Sequence, residues 1–139
     1  MRLQDIRVVA SAGTSSIGNV LAIAHEIESL LAALVESGRS GSIDLRGLPL
    51  SRADYEALRE FLGQGEIDAA IEALGPTQVR ETKVPGVWWV QHCNANGEVT
   101  AELIEVTYLP EILKTDPVDA RAGLDRFRER LMASGGNIE

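Results

Sequence analysis

Apolar residues recur at helical spacing early in the chain. They predict a single helix with one apolar face over residues 17–37, because a period of about 3.6 residues is typical of an amphipathic helix. Ser15 or Ser16 is expected to cap its start and Gly38 its end. The residues of the apolar face are Val20, Ile23, Ala24, Ile27, Leu30, Leu31 and Leu34.

Two further helices carry start signals. Ser51 with Asp54 three residues later is an acidic variant of the capping box, and it predicts a helix that ends near Leu62, before two glycines. Near the end of the chain, Asp116 and Pro117 suit the cap and first position of a third helix. Its apolar stripe is Ala120, Leu124, Phe127 and Leu131.

Between these helices the period changes from 3.6 to two, which indicates strands. A short strand is expected at residues 43–45, and a four-stranded antiparallel meander at residues 66–109. Gly75-Pro76, Pro85-Gly86 and Asn96-Gly97 mark its turns. The segment TQVRETKV is polar on both faces, so we expect it at an edge of the sheet or over solvent.

These elements predict an α+β fold, mainly an antiparallel sheet of four to five strands with helices packed on one face. A chain of 139 residues fits a single domain, residues 1–139, with a flexible arm at about residues 1–16 and a frayed tail at about residues 134–139. No apolar run approaches the roughly 20 residues that cross a bilayer, so membrane insertion is not expected.

Charge narrows the range of partners. The formal net charge is −8, from 13 Lys and Arg against 21 Asp and Glu, so the chain should repel phosphate backbones and anionic lipid. One cysteine cannot form an internal disulfide, and the N-terminus lacks the apolar core of a signal peptide. We therefore expect a cytoplasmic protein that does not bind nucleic acid.

Residues that could perform chemistry are few. His92 and Cys93 are adjacent in a predicted strand and should leave opposite faces, while His25 lies in HEIES, which lacks the second histidine of a zinc helix. Glu102 and Glu105 should also face apart, which argues against a paired-carboxylate site. No metal, cofactor or catalytic site is predicted, although a reactive Cys93 assisted by a histidine stays open beside a buried core cysteine.

The two tryptophans are adjacent in the stretch PGVWWVQHCNANGEV. Trp88 and Trp89 should lie on opposite faces of a strand, so one enters the core and the other lies on the uncovered side. An exposed tryptophan is a usual anchor of protein interfaces. The alternative is that a loop, the N-terminal arm or a second copy of the chain covers it.

Several stretches read together resemble a known family. IDLRGLPL, LGQGEIDAAIEALGPTQVRET, VPGVWWVQHCNANGEV, AELIEV and PEIL, in this order over residues 41–113, are similar to the hydrogenase expression/formation proteins of the HupH/HyaF family. The resemblance implies a non-enzymatic accessory or chaperone protein of nickel-iron hydrogenase maturation. It implies as partners a precursor of the iron-sulfur small subunit or other maturation proteins.

On this hypothesis the client contacts the sheet surface near Trp88, Trp89, Arg46 and Glu105, and the protein could form a homodimer. Two alternatives remain. One is a thiol- or metal-dependent protein that uses Cys93 with a nearby histidine. The other is a stand-alone paralogue that binds another client protein.

Overall fold

The computed structural model describes residues 11–72 and 74–135, with side chains from residue 18 onward. Most of the predicted N-terminal arm and tail therefore lies outside the described residues. The elements in chain order are α1 (Ser11–Ser37), β1 (Gly41–Asp44), a 3-10 turn (Leu45–Gly47), α2 (Arg52–Leu62), β2 (Asp68–Glu72), β3 (Pro76–Glu81), β4 (Val87–Cys93), β5 (Val99–Val106), a second 3-10 turn (Glu111–Leu113) and α3 (Pro117–Ala133).

The strands form one antiparallel sheet in the order β1-β5-β4-β3-β2. The predicted α+β class and the meander β2 to β5 are confirmed, and β1 adds the fifth strand beside β5. The predicted edge position of TQVRETKV is wrong, because β3 lies between β2 and β4. Thr77 and Val79 of that strand are buried, so β3 is an interior strand of the sheet although its sequence is largely polar.

Two of the three predicted turns have the expected chemistry, whereas Pro76 of the third is already the first residue of β3. The Val87 N–H donates to the Val84 carbonyl across Pro85-Gly86, and Gly86 has φ +93°, as a tight turn with glycine in its second central position requires. At the other end of β4, the Gly97 N–H donates to the Asn94 carbonyl. Both hairpin connections of β4 are thus fixed by local sequence.

Helix α1 begins earlier than predicted. It runs from Ser11, so Ser15 and Ser16 lie within it and neither is its cap. Its predicted end is confirmed, because Gly38 adopts φ +71° and its N–H donates to the Leu34 carbonyl. A C-terminal glycine in the left-handed region satisfies the last carbonyls of the helix.

The capping box of α2 also joins two helices. Ser51 Oγ accepts from the Asp54 N–H, and Asp54 Oδ2 accepts from the Ser51 N–H at 2.8 Å. Asn19 of α1 donates to the same Asp54 oxygen at 2.9 Å, and Asp54 is buried. A residue that the sequence suggests as a local cap therefore also ties α1 to α2.

Both helices pack on one face of the sheet around an apolar core. α1 and α2 contribute Ile27, Leu34, Leu58 and Leu62, and the sheet contributes Ile43, Val87, Trp89, Ile104 and Val106. By length and composition alone, Gly18–Ser37 is apolar enough to span a membrane, although His25, Glu26 and Glu28 interrupt its apolar run. Its apolar residues Ile23, Ile27 and Leu34 are buried in this core.

The chain divides into two compact units, residues up to Tyr108 and residues from Leu109 onward. The second unit contains α3, whose start is as predicted: Asp116 Oδ1 accepts from the Val118 N–H at 2.8 Å and Pro117 occupies the first turn. No residue of α3 is buried. The rest of this unit therefore leaves its predicted apolar stripe uncovered.

Candidate functional site

Side chains on the helix-facing side of the sheet form two adjacent rows across the strands. One row passes from the charged edge of the sheet into the core: Asp68, Arg80, Trp89, Ile104 and Ile43. The neighbouring row is polar and consists of Gln78, Gln91 and Glu102. Polar groups therefore border the apolar core beside Trp89.

A β-bulge sets this alignment. Cys93 pairs with Val99, but His92 pairs with Ala101, so Thr100 is an additional residue on β5. Since side chains alternate between faces, one additional residue reverses the face on which the following residues lie relative to β4. The bulge thus places Glu102 on the same face as Trp89.

Glu102 is a buried carboxylate that accepts hydrogen bonds from three side chains. Its Oε2 accepts from Trp89 Nε1 at 2.7 Å, from Arg59 at 3.0 Å and from Gln91 Nε2 at 3.2 Å. Burying a carboxylate is costly unless it is paired and hydrogen-bonded. These three donors from α2 and β4 supply what the charge needs, and in turn they fix the orientation of the indole.

Arg59 is the residue that connects this cluster to solvent. Its guanidinium carbon lies 4.9 Å from the centre of the Trp89 ring, a cation-π geometry. Its side chain is 49% exposed, against 8% for the Glu102 side chain. The N–H groups of Arg59 that do not bind Glu102 are therefore available to an external acceptor.

Arg80 is the second cation on this face. Its Nε lies 3.5 Å from Asp68 Oδ2, an exposed ion pair that contributes little to stability. This nitrogen is itself buried and has no hydrogen-bond acceptor among the described residues. Arg80 Nε is thus close enough to Asp68 for an ion pair, but its N–H does not point at the carboxylate well enough for a hydrogen bond. The pair is therefore weak.

Shallow depressions surround Arg59. Two of them, of about 140 and 110 Å³, lie on the sheet side, and both are lined by Arg59, Arg80 and Trp89. A third, of about 480 Å³, lies on the other side of Arg59 beside Tyr55 and Glu102. We use the name Arg59 groove for the surface formed by Arg59, Arg80, Trp89, Gln78 and Gln91. Its shallow, polar form is typical of a protein contact surface, whereas cofactors usually occupy enclosed pockets.

Tyr55 and Arg46 lie near the same cluster. The Tyr55 hydroxyl donates to the Leu45 carbonyl at 3.3 Å. Burial raises the pKa of Tyr55, and the negative charges of Glu102 and Asp44 raise it further, while the positive charge of Arg46 acts in the opposite direction. The predicted contact residue Arg46 is exposed, and its charge influences Tyr55 of α2.

The predicted exposure of one tryptophan is wrong. Trp88 is 4% exposed and Trp89 is 7% exposed. The prediction that they occupy opposite faces is confirmed: Trp89 belongs to the core with α1 and α2, whereas Trp88 lies opposite Glu105 on the other face and donates from Nε1 to the Thr107 carbonyl at 3.1 Å. The four predicted contact residues thus divide between two faces and do not form one surface.

Each histidine considered for thiol or metal chemistry contacts a residue other than Cys93. His92 exchanges a hydrogen bond with Thr77 at 2.9 Å through Nδ1, and the exposed His25 lies 3.5 Å from Glu28. Cys93 is partly buried. No group of three His, Cys, Asp or Glu side chains among the described residues could hold a metal ion.

The fold and the site define a class: an α+β protein with a five-stranded antiparallel sheet and an open, polar groove above a buried indole. The sequence model described as HupH hydrogenase expression protein, C-terminal conserved region, matches residues 17–134. The chain therefore belongs to the HupH hydrogenase expression protein family. This confirms the resemblance that the sequence motifs carry.

Individual relatives belong to the same kind of protein. The chain is 32% identical over 94 residues to the hydrogenase expression/formation protein HoxQ of Azotobacter vinelandii, and 31% identical over 115 residues to HupH of Rhodobacter capsulatus. These matches cover 68% and 83% of the chain but only 32% and 42% of the relatives. The chain thus spans about a third to two fifths of their length.

A solved structure has the same fold. The hydrogenase expression protein HupH from Thiobacillus denitrificans is 40% identical, with a TM-score of 0.81 over 84% of this chain and 97% of that one. At this identity the similarity extends beyond general architecture to the family itself.

Proposed function

We propose that the protein is a non-enzymatic accessory factor of nickel-iron hydrogenase maturation that binds a precursor of a hydrogenase subunit, namely the iron-sulfur small subunit, in the cytoplasm. The observation that carries the proposal is the family match over residues 17–134. The names of the relatives, hydrogenase expression/formation proteins, support a role in making the enzyme. The client and the site of action are the further steps of the proposal.

The chemistry of the surface is compatible with binding a protein. The rows beside Trp89 present guanidinium and amide donors at the edge of an apolar core, and such donors can bind the carboxylates and backbone carbonyls of a client. Arginine bound over an indole is a frequent component of interface hot spots. This supports the Arg59 groove as the client surface, in place of an exposed tryptophan.

Arg59 and Arg80 differ in how much they contribute to the stability of the fold. Arg59 also neutralises the buried Glu102, so its removal would disturb the fold as well as the surface. Among the described residues Arg80 has one ion pair, with the exposed Asp68, so its side chain can be removed at little cost to stability. Arg80→Ala is consequently the sharper test of client binding.

The experiment is affinity capture with the tagged full chain from cells that produce a nickel-iron hydrogenase, with capture of the small subunit precursor quantified. We expect the precursor with the wild-type chain, a clear loss with Arg80→Ala, and no change with Arg39→Ala, which removes an exposed arginine outside the groove. Capture of the precursor by all three proteins would refute the groove assignment. Absence of every hydrogenase subunit would refute the proposed function.

A further inference from the structure

The apolar stripe of α3 has the spacing of a helix-pairing seam. Ala120, Leu124, Phe127 and Leu131 follow one another at intervals of four, three and four residues, the alternation of the two core positions of a heptad. On a helix they occupy an arc of about 60°, narrower than the apolar face of a helix that lies on a membrane. Such a narrow stripe suits another helix.

The rest of the unit from Leu109 onward does not cover this stripe. Leu124 is 40% exposed, Phe127 57% and Leu131 43%. Large side chains at core positions of a heptad are usually buried by a partner. The helix itself has its own cap and first-turn proline, so it is formed without that partner.

The charges that border the stripe have one sign. Arg121 and Arg128 flank it on one side and Arg130 on the other, each within roughly 90° of its centre. The acidic residues of the helix, Asp119, Asp125 and Glu129, lie farther round. Among the described residues Arg128 and Arg130 have no ion pair, and Arg121 has only an exposed contact of 3.9 Å with Asp125.

We propose that α3 is a docking helix for an amphipathic helix of another protein, whose apolar seam is bordered by glutamate or aspartate. In paired helices the residues that flank the seam meet across the interface, so basic flanks select an acidic partner. A second copy of α3 would bring arginines against arginines and is disfavoured. An anionic lipid surface is disfavoured by the narrow stripe and by the net charge of −8.

The test uses the full chain and two synthetic amphipathic peptides with the same leucine seam, one bordered by glutamates and one by lysines. Fluorescence anisotropy of the labelled peptides gives the dissociation constants. We expect the glutamate peptide to bind about tenfold or more tightly than the lysine peptide, since three flanking charges change sign, and to weaken as salt is added. Neither peptide contains a hydrogenase sequence, so failure here leaves the proposed function standing.

Variants locate the binding on α3. Phe127→Ala with Leu131→Ala is expected to lower affinity for the glutamate peptide about tenfold or more, and Arg128→Glu with Arg130→Glu to reverse the peptide preference. Val118→Ala is the matched control, because Val118 is an exposed apolar residue away from the stripe. Equal binding of the two peptides, binding of neither, or Phe127-dependent self-association or binding to anionic phospholipid vesicles would each overturn the proposal.

Discussion

The indole of Trp89 donates from Nε1 to the Glu102 carboxylate at 2.7 Å, although the two residues come from different strands and both are buried. This bond places a negative charge at the edge of the apolar core. Arg59 completes the arrangement, because it pairs with the same carboxylate oxygen and covers the indole ring. The groove surface is therefore built on a buried polar cluster and not on an exposed aromatic side chain.

Removal of the Glu102 carboxylate should destabilise the fold. Glu102→Ala leaves the buried Trp89 N–H without an acceptor, and we expect the free energy of unfolding to fall by about 2–4 kcal/mol. Glu102→Gln keeps an acceptor oxygen and should cost about half as much. Urea denaturation measures both, with the exposed Glu66→Ala as the control. A Glu102→Ala variant as stable as this control would contradict the role of the cluster.

Both tryptophans should be shielded from solvent. Trp88 and Trp89 are each buried, so the fluorescence of the folded chain should resist quenching by iodide. The single-tryptophan variants Trp88→Phe and Trp89→Phe report the two sites separately. If iodide quenches either variant as strongly as the urea-denatured chain, the tryptophan that remains in that variant is exposed, which would contradict its burial in the structure.

The bond between Asn19 and Asp54 should couple α1 to α2. Asp54 serves both the capping box and Asn19, so Asp54→Ala is expected to cost about 2–3 kcal/mol, whereas Ser51→Ala removes only a cap and should cost about 1 kcal/mol. A double-mutant cycle of Asn19→Ala and Asp54→Ala measures the coupling. Additive effects of these two substitutions would show that the helices are not joined through this bond.

Alkaline pH should weaken the fold through Tyr55. Burial, followed by the charges of Glu102 and Asp44, raises the pKa of Tyr55 above its usual 10.0, so the unfolded state releases this proton at lower pH than the folded state. The stabilising contribution is fully present below pH 10 and is lost as pH rises through the folded-state pKa.

The comparison is between wild type and Tyr55→Phe, by urea denaturation at pH 9 to 11. The variant lacks the phenol and should lose less stability than the wild type over this interval. Identical slopes of stability against pH in the two proteins would contradict a raised pKa at Tyr55.

Local signals predicted the frame of the fold. The capping box at Ser51, the turn at Pro85-Gly86 and the hairpin at Asn96-Gly97 depend on neighbouring residues, so their chemistry is legible in the sequence. The start of α1 was less clear, because SAGTSSIG resembles a linker in composition yet is helical from Ser11.

Long-range relationships could not be predicted in the same way. The helix-facing position of Glu102 beside Trp89 depends on the additional residue Thr100, and the hairpin turn alone would align Glu102 with the opposite face. The sequence of β3 is typical of an edge strand because it contains polar side chains such as Arg80 and Gln78, and in the structure these two side chains line the groove. The sequence signal for the site is Glu102, an acidic residue beside apolar ones in the strand segment AELIEV.

The most direct test of the proposed function is calorimetric titration of the purified full chain with purified precursor of the hydrogenase small subunit. We expect saturable binding with a dissociation constant of about micromolar or tighter, much weaker binding to the assembled hydrogenase, and a loss with Arg80→Ala. No binding of the precursor, or equal binding of the precursor and the assembled enzyme, would contradict a role as an accessory factor for that subunit.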